Sequence, residues 1–307
     1  MNHALTRRRF GFGLLGCMSV LLCSSVMRAE DDRPVVSDKD FGKDATTAPA
    51  SIPSIYFVGD STMNSNKPLR GWASEVGAFF DPKKINVANR AIGGRSSKTY
   101  ILEGKWDRVL GELKPGDFVV VQFGHNDVGR YDDPNAKGRP SLHGEGDDTA
   151  ELKKADGTTE TVHTFGWYMR KYGNDARAKG ASVILCSMVP HKGWSKDGKN
   201  ILRGERKDFI MWTKNAAAAS GAAFVDLNEI SALGMEKLGP PEVEKLFGDA
   251  RTHSTPEGAV FNAKAFIAGT KALTPNPLEA FLSDAGKAIE SADTSLATNA
   301  PATQPAH

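Results

Sequence analysis

Ile55-Tyr56-Phe57-Val58-Gly59-Asp60-Ser61-Thr62 is an apolar run that ends on a glycine and a serine. The run has the length and composition of a strand buried on both faces. Gly59 punctuates it, so Asp60 and Ser61 fall on the turn past its carboxyl end. A serine there is held clear of its strand and faces the edge of a sheet, which suits a nucleophile. Taken alone, Gly-Asp-Ser after a strand is also an ordinary turn. Its meaning depends on what the rest of the chain brings to the same edge.

Working outward, short apolar runs alternate with helical patterns. Besides 54–58, strands are expected at 85–89, 117–123, 182–188 and 222–226. Asp117-Phe118-Val119-Val120-Val121-Gln122-Phe123 is apolar almost throughout, as a strand covered on both faces requires. Helices are expected at 70–80, 104–113, 162–179, 204–220 and 256–272. Such alternation specifies an α/β fold, a parallel sheet with helices on both faces. No internal repeat is visible.

In open parallel sheets, ligands bind beyond the carboxyl ends of the strands. That rule collects four segments on one rim. Ser61 follows the first strand and Ala91-Ile92-Gly93-Gly94-Arg95-Ser96-Ser97 the second. Gly124-His125-Asn126-Asp127 follows the third and Met188-Val189-Pro190-His191 the fourth. Acyl transfer by serine needs a hydroxyl, a base, a group that orients the base, and donors for the developing oxyanion. Ser61 supplies the first. His253 precedes Ser254-Thr255-Pro256-Glu257-Gly258, which reads as the capped, proline-initiated start of a helix. A loop histidine there can swing over the strand ends, or can simply pack. Asp249 is the carboxylate that could hold its ring. The donors are the backbone amides of Ser61 and Gly94 and the side-chain amide of Asn126. The bland alternatives are a Gly93-Gly94 loop that needs positive φ and an Asn126-Asp127 turn that satisfies its own backbone.

Together these blocks resemble the SGNH (GDSL-type) hydrolases, and most closely their rhamnogalacturonan acetylesterase branch. The likeness is carried by Gly59-Asp60-Ser61, Gly94-Arg95-Ser96, Gln122 to Asp127, Thr161-Val162-His163-Thr164-Phe165, Lys179 to Leu185 leading to Pro190, Thr252-His253-Ser254 and Gly258-Ala259. It spans about residues 54–272. It implies a three-layer α/β/α flavodoxin-like fold with a five-stranded parallel sheet in the order 2-1-3-4-5. It also implies a serine esterase that deacetylates a pectic polysaccharide with no metal or cofactor. By the resemblance, Ser61 and His253 are nucleophile and base, and Ser61, Gly94 and Asn126 form the oxyanion hole. One position departs from the family pattern. The aspartate three residues before the histidine is replaced by Ala250, and Asp249 lies four before. Either the loop holds one extra residue and Asp249 still reaches the ring, or another group, such as a backbone carbonyl, orients it.

The segment 129–160 is polar, Gly-rich and without evident regular structure, and could wall the substrate site. Arg130, Arg139, His143 and Lys153 could meet carboxylates of an acidic polysaccharide, and Trp194 could stack on sugar. Asp60, beside the serine, and His191, at a strand end, join Arg139 and Trp194 as expected substrate contacts. For each the alternative is a solvated surface residue.

The 307 residues, 40% hydrophobic and 25% charged, are ordinary for a globular protein with one large domain. The net charge is +2, but residues 1–29 hold four arginines and no acid, so the remainder is slightly acidic. No basic excess points to nucleic acid. Thr6-Arg7-Arg8-Arg9-Phe10 before the apolar stretch Gly11 to Val26 reads as an export signal over 1–29, and resembles a bacterial twin-arginine signal. It is short for a membrane span. Met27-Arg28-Ala29 is a poor cleavage match, and Leu14-Leu15-Gly16-Cys17 loosely resembles a lipidation site. Residues 30–53 read as a flexible linker, 54–273 as the hydrolase domain, and 274–307 as a low-complexity tail with a short helix near 278–291. Cys17 and Cys23 fall in the signal, which leaves Cys186 as a buried strand residue. An exported monomer with no membrane span in the mature chain is expected. Three other functions compete: a lipase or thioesterase of the same superfamily, a non-catalytic polysaccharide-binding protein on this scaffold, and a metal-dependent phosphoesterase using His125, Asp127 and His191. The last lacks metal-ligand spacing.

Overall fold

The computed structural model describes residues 51–203 and 206–293. The expected export signal with Cys17, nearly all of the expected linker, and residues 294–307 lie outside them. In chain order the elements are β1 (Ser54–Gly59), β2 (Asn86–Asn89), α1 (Ser97–Leu102), α2 (Lys105–Glu112), β3 (Phe118–Gln122), β4 (Thr149–Lys153), β5 (Thr159–His163), α3 (Phe165–Ala178), β6 (Ser182–Cys186), α4 (Lys207–Ser220), β7 (Ala223–Val225), α5 (Leu227–Leu238), α6 (Pro240–Leu246), α7 (Pro256–Lys271) and α8 (Asp284–Lys287). The five-stranded sheet is parallel throughout, in the order β2-β1-β3-β6-β7. With the separate β4–β5 hairpin set aside, this is the expected 2-1-3-4-5. No helix among the described residues is long and apolar enough to cross a membrane.

Alternation along β1 builds both cores. Tyr56 and Val58 face one layer with Tyr100, Trp106, Phe123, Phe165 and Tyr172. Ile55 and Phe57 face the other with Trp72, Phe80 and Phe266. Successive strand side chains point to opposite faces, so a sheet covered on both sides needs apolar residues at every position. Phe266 on α7 is fully buried; its ring meets Phe57 edge-on at 5.6 Å and lies 5.1 Å from Trp72.

Three readings change. The expected helix over 70–80 is two 3-10 turns, Trp72–Ser74 and Val76–Phe79. Its leading amides are drawn outward instead: Arg70 N–H donates to Ser254 O (2.9 Å) and Trp72 N–H to Thr62 O (3.0 Å). The polar segment 129–160 contains most of an antiparallel hairpin, with Thr149 opposite His163 and Lys153 opposite Thr159. Its turn holds Asp156-Gly157, a recognised hairpin signal, but polar residues on both faces masked the alternation. The chain also packs beyond residue 273. Leu278 and Leu282 are buried in the Phe266 layer, and Phe281 meets Phe118 edge-on at 5.3 Å. Helices α1, α5 and α6 were not anticipated.

Truncating Phe266 removes an aromatic ring from a closely packed layer. Phe266→Ala is expected to lower the free energy of unfolding by about 3–5 kcal/mol, read from denaturant titration.

Candidate active site

Four connections converge on the carboxyl rim. The first, after β1, is a single helical turn in which Asp60 O accepts from Met63 N–H and Asn64 N–H, both at 3.1 Å. A buried polar chain holds it. Gln122 accepts from Trp72 Nε1 (2.9 Å) and donates to Thr62 Oγ1 (2.6 Å), and Thr62 Oγ1 donates to Asp60 Oδ1 (2.8 Å). Gln122 was missed as a site residue, although one amide inside an apolar strand was a legible signal. The turn aims Ser61 Oγ at His253 Nε2, 2.9 Å away.

His253 comes from the loop before α7, a helix capped by Thr255 with Pro256 in its first turn. Asp249 organises that loop. Its Oδ1 accepts the backbone N–H groups of Arg251 (2.9 Å), Thr252 (2.6 Å) and His253 (3.1 Å). Its Oδ2 stands 2.5 Å from His253 Nδ1. The four-residue separation therefore reaches the ring, because the intervening residues wrap around the carboxylate. Partial burial disfavours the charge on Asp249, but these backbone donors and His253 outweigh it and hold the carboxyl well below its ordinary range. Gly248 N–H to His253 O (2.8 Å) closes the loop, and Lys192 N–H to Arg251 O (2.8 Å) ties it to the segment after β6.

Opposite Ser61 stand Gly94 and Asn126. Gly94 has φ +77°, and a Cβ there would meet no protein atom within 4 Å. Its glycine thus answers to backbone conformation, and the missing side chain also leaves the cleft open. Among the described residues no acceptor takes the Ser61 or Gly94 N–H. The Asn126 amide is held at both ends: Nδ2 donates to Arg95 O and Oδ1 accepts from Arg139 Nη1, both at 3.0 Å. One Nδ2 hydrogen remains. Ser61, Gly94, Asn126, Arg139 and His253 line one cleft of about 720 Å³, along with Asn64, Ser65 and Asn66. Leu69 and Ile92 are its aliphatic members.

Three expected substrate contacts lie elsewhere. Asp60 is fully buried, its carboxylate turned inward to the Thr62 amide (2.9 Å) and hydroxyl. His191 stacks on His125, with His125 Nδ1 and His191 Nε2 3.1 Å apart, and lines a different cavity with Arg203 and Arg251. Burial pushes His191 down to about 3, and the nearby arginines push the same way. Trp194 bridges Ile201 and packs against the apolar cluster that contains Ile201, Val243, Leu246 and Phe247. Asp127 turns away from the two histidines to Ser97, accepting its N–H (3.1 Å) and its hydroxyl (2.5 Å). Among the described residues, no group of three or more His, Cys, Asp or Glu could hold a metal. Of the remaining residues, Arg130 pairs with exposed Asp132 and His143 packs edge-on to Phe209.

Fold and site together define the class: a three-layer α/β hydrolase whose serine, histidine and carboxylate stand in line at the rim of a parallel sheet. The description of GDSL-like lipases and acylhydrolases matches residues 57–260. The chain belongs to this GDSL-like lipase/acylhydrolase family and is an ester hydrolase. It is 35% identical over 228 residues to a rhamnogalacturonan acetylesterase of Emericella nidulans, covering 73% of this chain and 89% of that one. It is 30% identical over 227 residues to a probable rhamnogalacturonan acetylesterase of Bacillus subtilis, YesY, covering 71% of this chain and 93% of that one. Among solved structures, protein YxiM of Bacillus subtilis superposes with a TM-score of 0.57 at 24% identity, over 73% of this chain and 57% of that one. That likeness bears on the fold.

Two outcomes are expected from this geometry. Asp249→Ala should lower kcat for a small acetyl ester by about 10²–10⁴, while Ala250→Asp leaves it within a few-fold; initial rates decide. Burial also pushes the Asp60 carboxyl up to about 6, although its Thr62 bonds pull it down. A raised carboxyl favours the folded state most below its unfolded value, and that contribution is lost as pH rises through 6. Asp60→Asn should therefore gain stability over wild type between pH 5 and pH 8, on the order of 2 kcal/mol, measured by unfolding at both pH values.

Proposed function

We propose that this chain is an exported serine carbohydrate esterase that removes acetyl groups from pectic polysaccharide. The observation that carries the reading is the cleft itself. Seven of the twelve residues that line it carry amides, hydroxyls or guanidinium groups, and Leu69 and Ile92 are its two aliphatic side chains. A site for long acyl chains needs an extended apolar wall. This one suits a two-carbon acyl group on a hydroxyl-rich alcohol. The acetylesterase names of the two relatives support the same substrate, and the arginine-led apolar amino terminus supports export.

In this reading Ser61 Oγ attacks the acetyl carbonyl as His253 Nε2 takes its proton. The oxyanion forms within reach of the Ser61 and Gly94 amides and the spare hydrogen of Asn126 Nδ2. Collapse expels the sugar oxygen, which leaves with the proton from His253. A water, deprotonated by His253, then attacks the acetyl-serine, and acetate departs as Ser61 regains its proton. Asp249 holds Nδ1 protonated, so that Nε2 is the basic nitrogen, and balances the imidazolium charge. Arg139 holds the Asn126 carbonyl oxygen, which keeps the amide nitrogen toward the cleft. It also presents a cation to substrate carboxylates.

Acetate release from acetylated pectic polysaccharide, beside acetylated xylan and a long-chain ester, tests the reading. Release is expected from the pectic substrate and is expected to vanish in Ser61→Ala. Asn126→Ala should lower turnover by about 10²–10³. Preference for the long-chain ester would overturn the acetylesterase reading in favour of a lipase or thioesterase. A folded protein silent on every ester would favour the binding-protein reading.

A further inference from the structure

A second cavity of about 770 Å³ lies between the β4–β5 hairpin, the end of α1 and the segment 131–138. It adjoins the catalytic cleft at two places. Arg95 lines the cleft and donates from Nε to Glu103 Oε2 at 3.0 Å, and Glu103 lines the second cavity. Lys137 and Gly138 line the second cavity, and the next residue, Arg139, lines the cleft. The two cavities are therefore neighbours, separated by the Arg95–Glu103 pair and the Gly138–Arg139 step. Each is within the range of about 300–1,000 Å³ that small-molecule sites occupy.

The chemistry of this groove is particular. Tyr131 and Leu102 contribute an apolar face, and Leu102 is 39% exposed there. Its carboxylates are already engaged: Glu103 by Arg95 and Lys105, Glu160 by Lys98 and Lys154, Asp132 by Arg130, and Asp133 by the Asn135 amide. Lys137 and Lys153, by contrast, have no carboxylate partner among the described residues. Lys137 is also the one described non-glycine residue with positive φ, at +54°. That conformation is the left-handed cap that ends the 3-10 turn Pro134–Ala136. Among the described residues Arg139 likewise has no carboxylate partner, so cleft and groove together present three such cations.

We propose that this groove is a second saccharide subsite, which holds uronate-bearing sugars of the same polysaccharide chain whose acetylated residue sits at Ser61. The inference rests on the acetylesterase reading and extends it from a single sugar to a polymer. Lys137 and Lys153 meet the carboxylates, and Tyr131 and Leu102 take the apolar faces of the sugar rings. The groove lies outside the reacting atoms, so it acts on affinity for the polymer rather than on bond breaking.

The test separates binding from catalysis. Deacetylated rhamnogalacturonan oligosaccharides, and the same oligosaccharides with carboxyls reduced to alcohols, are titrated calorimetrically into wild type and into the Lys137→Gly/Lys153→Ala double variant. The expected result is about tenfold weaker binding of the acidic ligand by the variant at low salt. Binding of the reduced ligand should be equal in both proteins, and kcat/KM for a small acetyl ester unchanged. On acetylated polymer the variant should show a raised KM at unchanged kcat. Tyr131→Ala should weaken both ligands. Equal affinity of wild type and double variant for the acidic ligand would overturn the proposal, as would equal affinity of wild type for the acidic and reduced ligands. Charge-dependent binding without acetate release from any pectic polymer would support the groove and remove the deacetylation reading. Acetate release with KM indifferent to the double variant would do the reverse.

Discussion

Burial of both faces of the central sheet is the constraint on which everything else depends. With apolar layers above and below β1 and β3, the polar groups of the connections have few places to go other than the two ends of the strands. The order β2-β1-β3 sends the chain to opposite faces on either side of β1, which opens a crevice at the carboxyl rim. Ser61, Gly94 and Asn126 stand on the three connections that border it. The exceptions inside, Gln122 and Asp60, are buried polar groups bonded to the turn that carries Ser61. Those bonds tie the direction of the serine hydroxyl to the integrity of the core.

A second economy appears in the histidine loop. One carboxylate gathers three backbone amides with one oxygen and the imidazole with the other. The ring and its loop thus share a single organiser. The Arg70–Trp72 segment then cross-links this loop to the serine turn, donating to Ser254 O at one end and Thr62 O at the other. Those bonds replace a regular helix at 70–80. The distance between Ser61 and His253, residues 192 apart in the chain, is therefore set by backbone hydrogen bonds rather than by side-chain contact alone.

Polarity divides the surface beyond the rim. The cleft is lined by amides, hydroxyls and guanidinium groups, whereas the pocket beside it holds three arginines and His191, which stacks on His125. His125 and Asn126 are adjacent in sequence but face these two environments separately. Of the polar insertion after β3, Arg139 reaches the cleft and holds Asn126, while the hairpin stands farther out.

Much of this was legible in the chain. Continuous apolar runs and their alternation with helical patterns specified the parallel sheet, the strand-end rule put Ser61, Gly94 and Asn126 on one rim, and the capped start of the last core helix put His253 in a loop beside it. Those signals are local, since strand burial and glycine turns are written in adjacent residues. The hairpin escaped because both its faces are polar, and the 70–80 segment tightens into two 3-10 turns whose first amides bond to Ser254 O, in a loop 184 residues away, and to Thr62 O. Asp60, His191 and Trp194 sit near the serine or at strand ends, but burial and packing decide which way a side chain turns. The sequence by itself determined the layers, the rim and the chemistry available there. Only the tertiary structure decided that Asp249, four residues before His253, meets its ring, because that distance depends on how the loop folds around the carboxylate and not on the spacing of the residues.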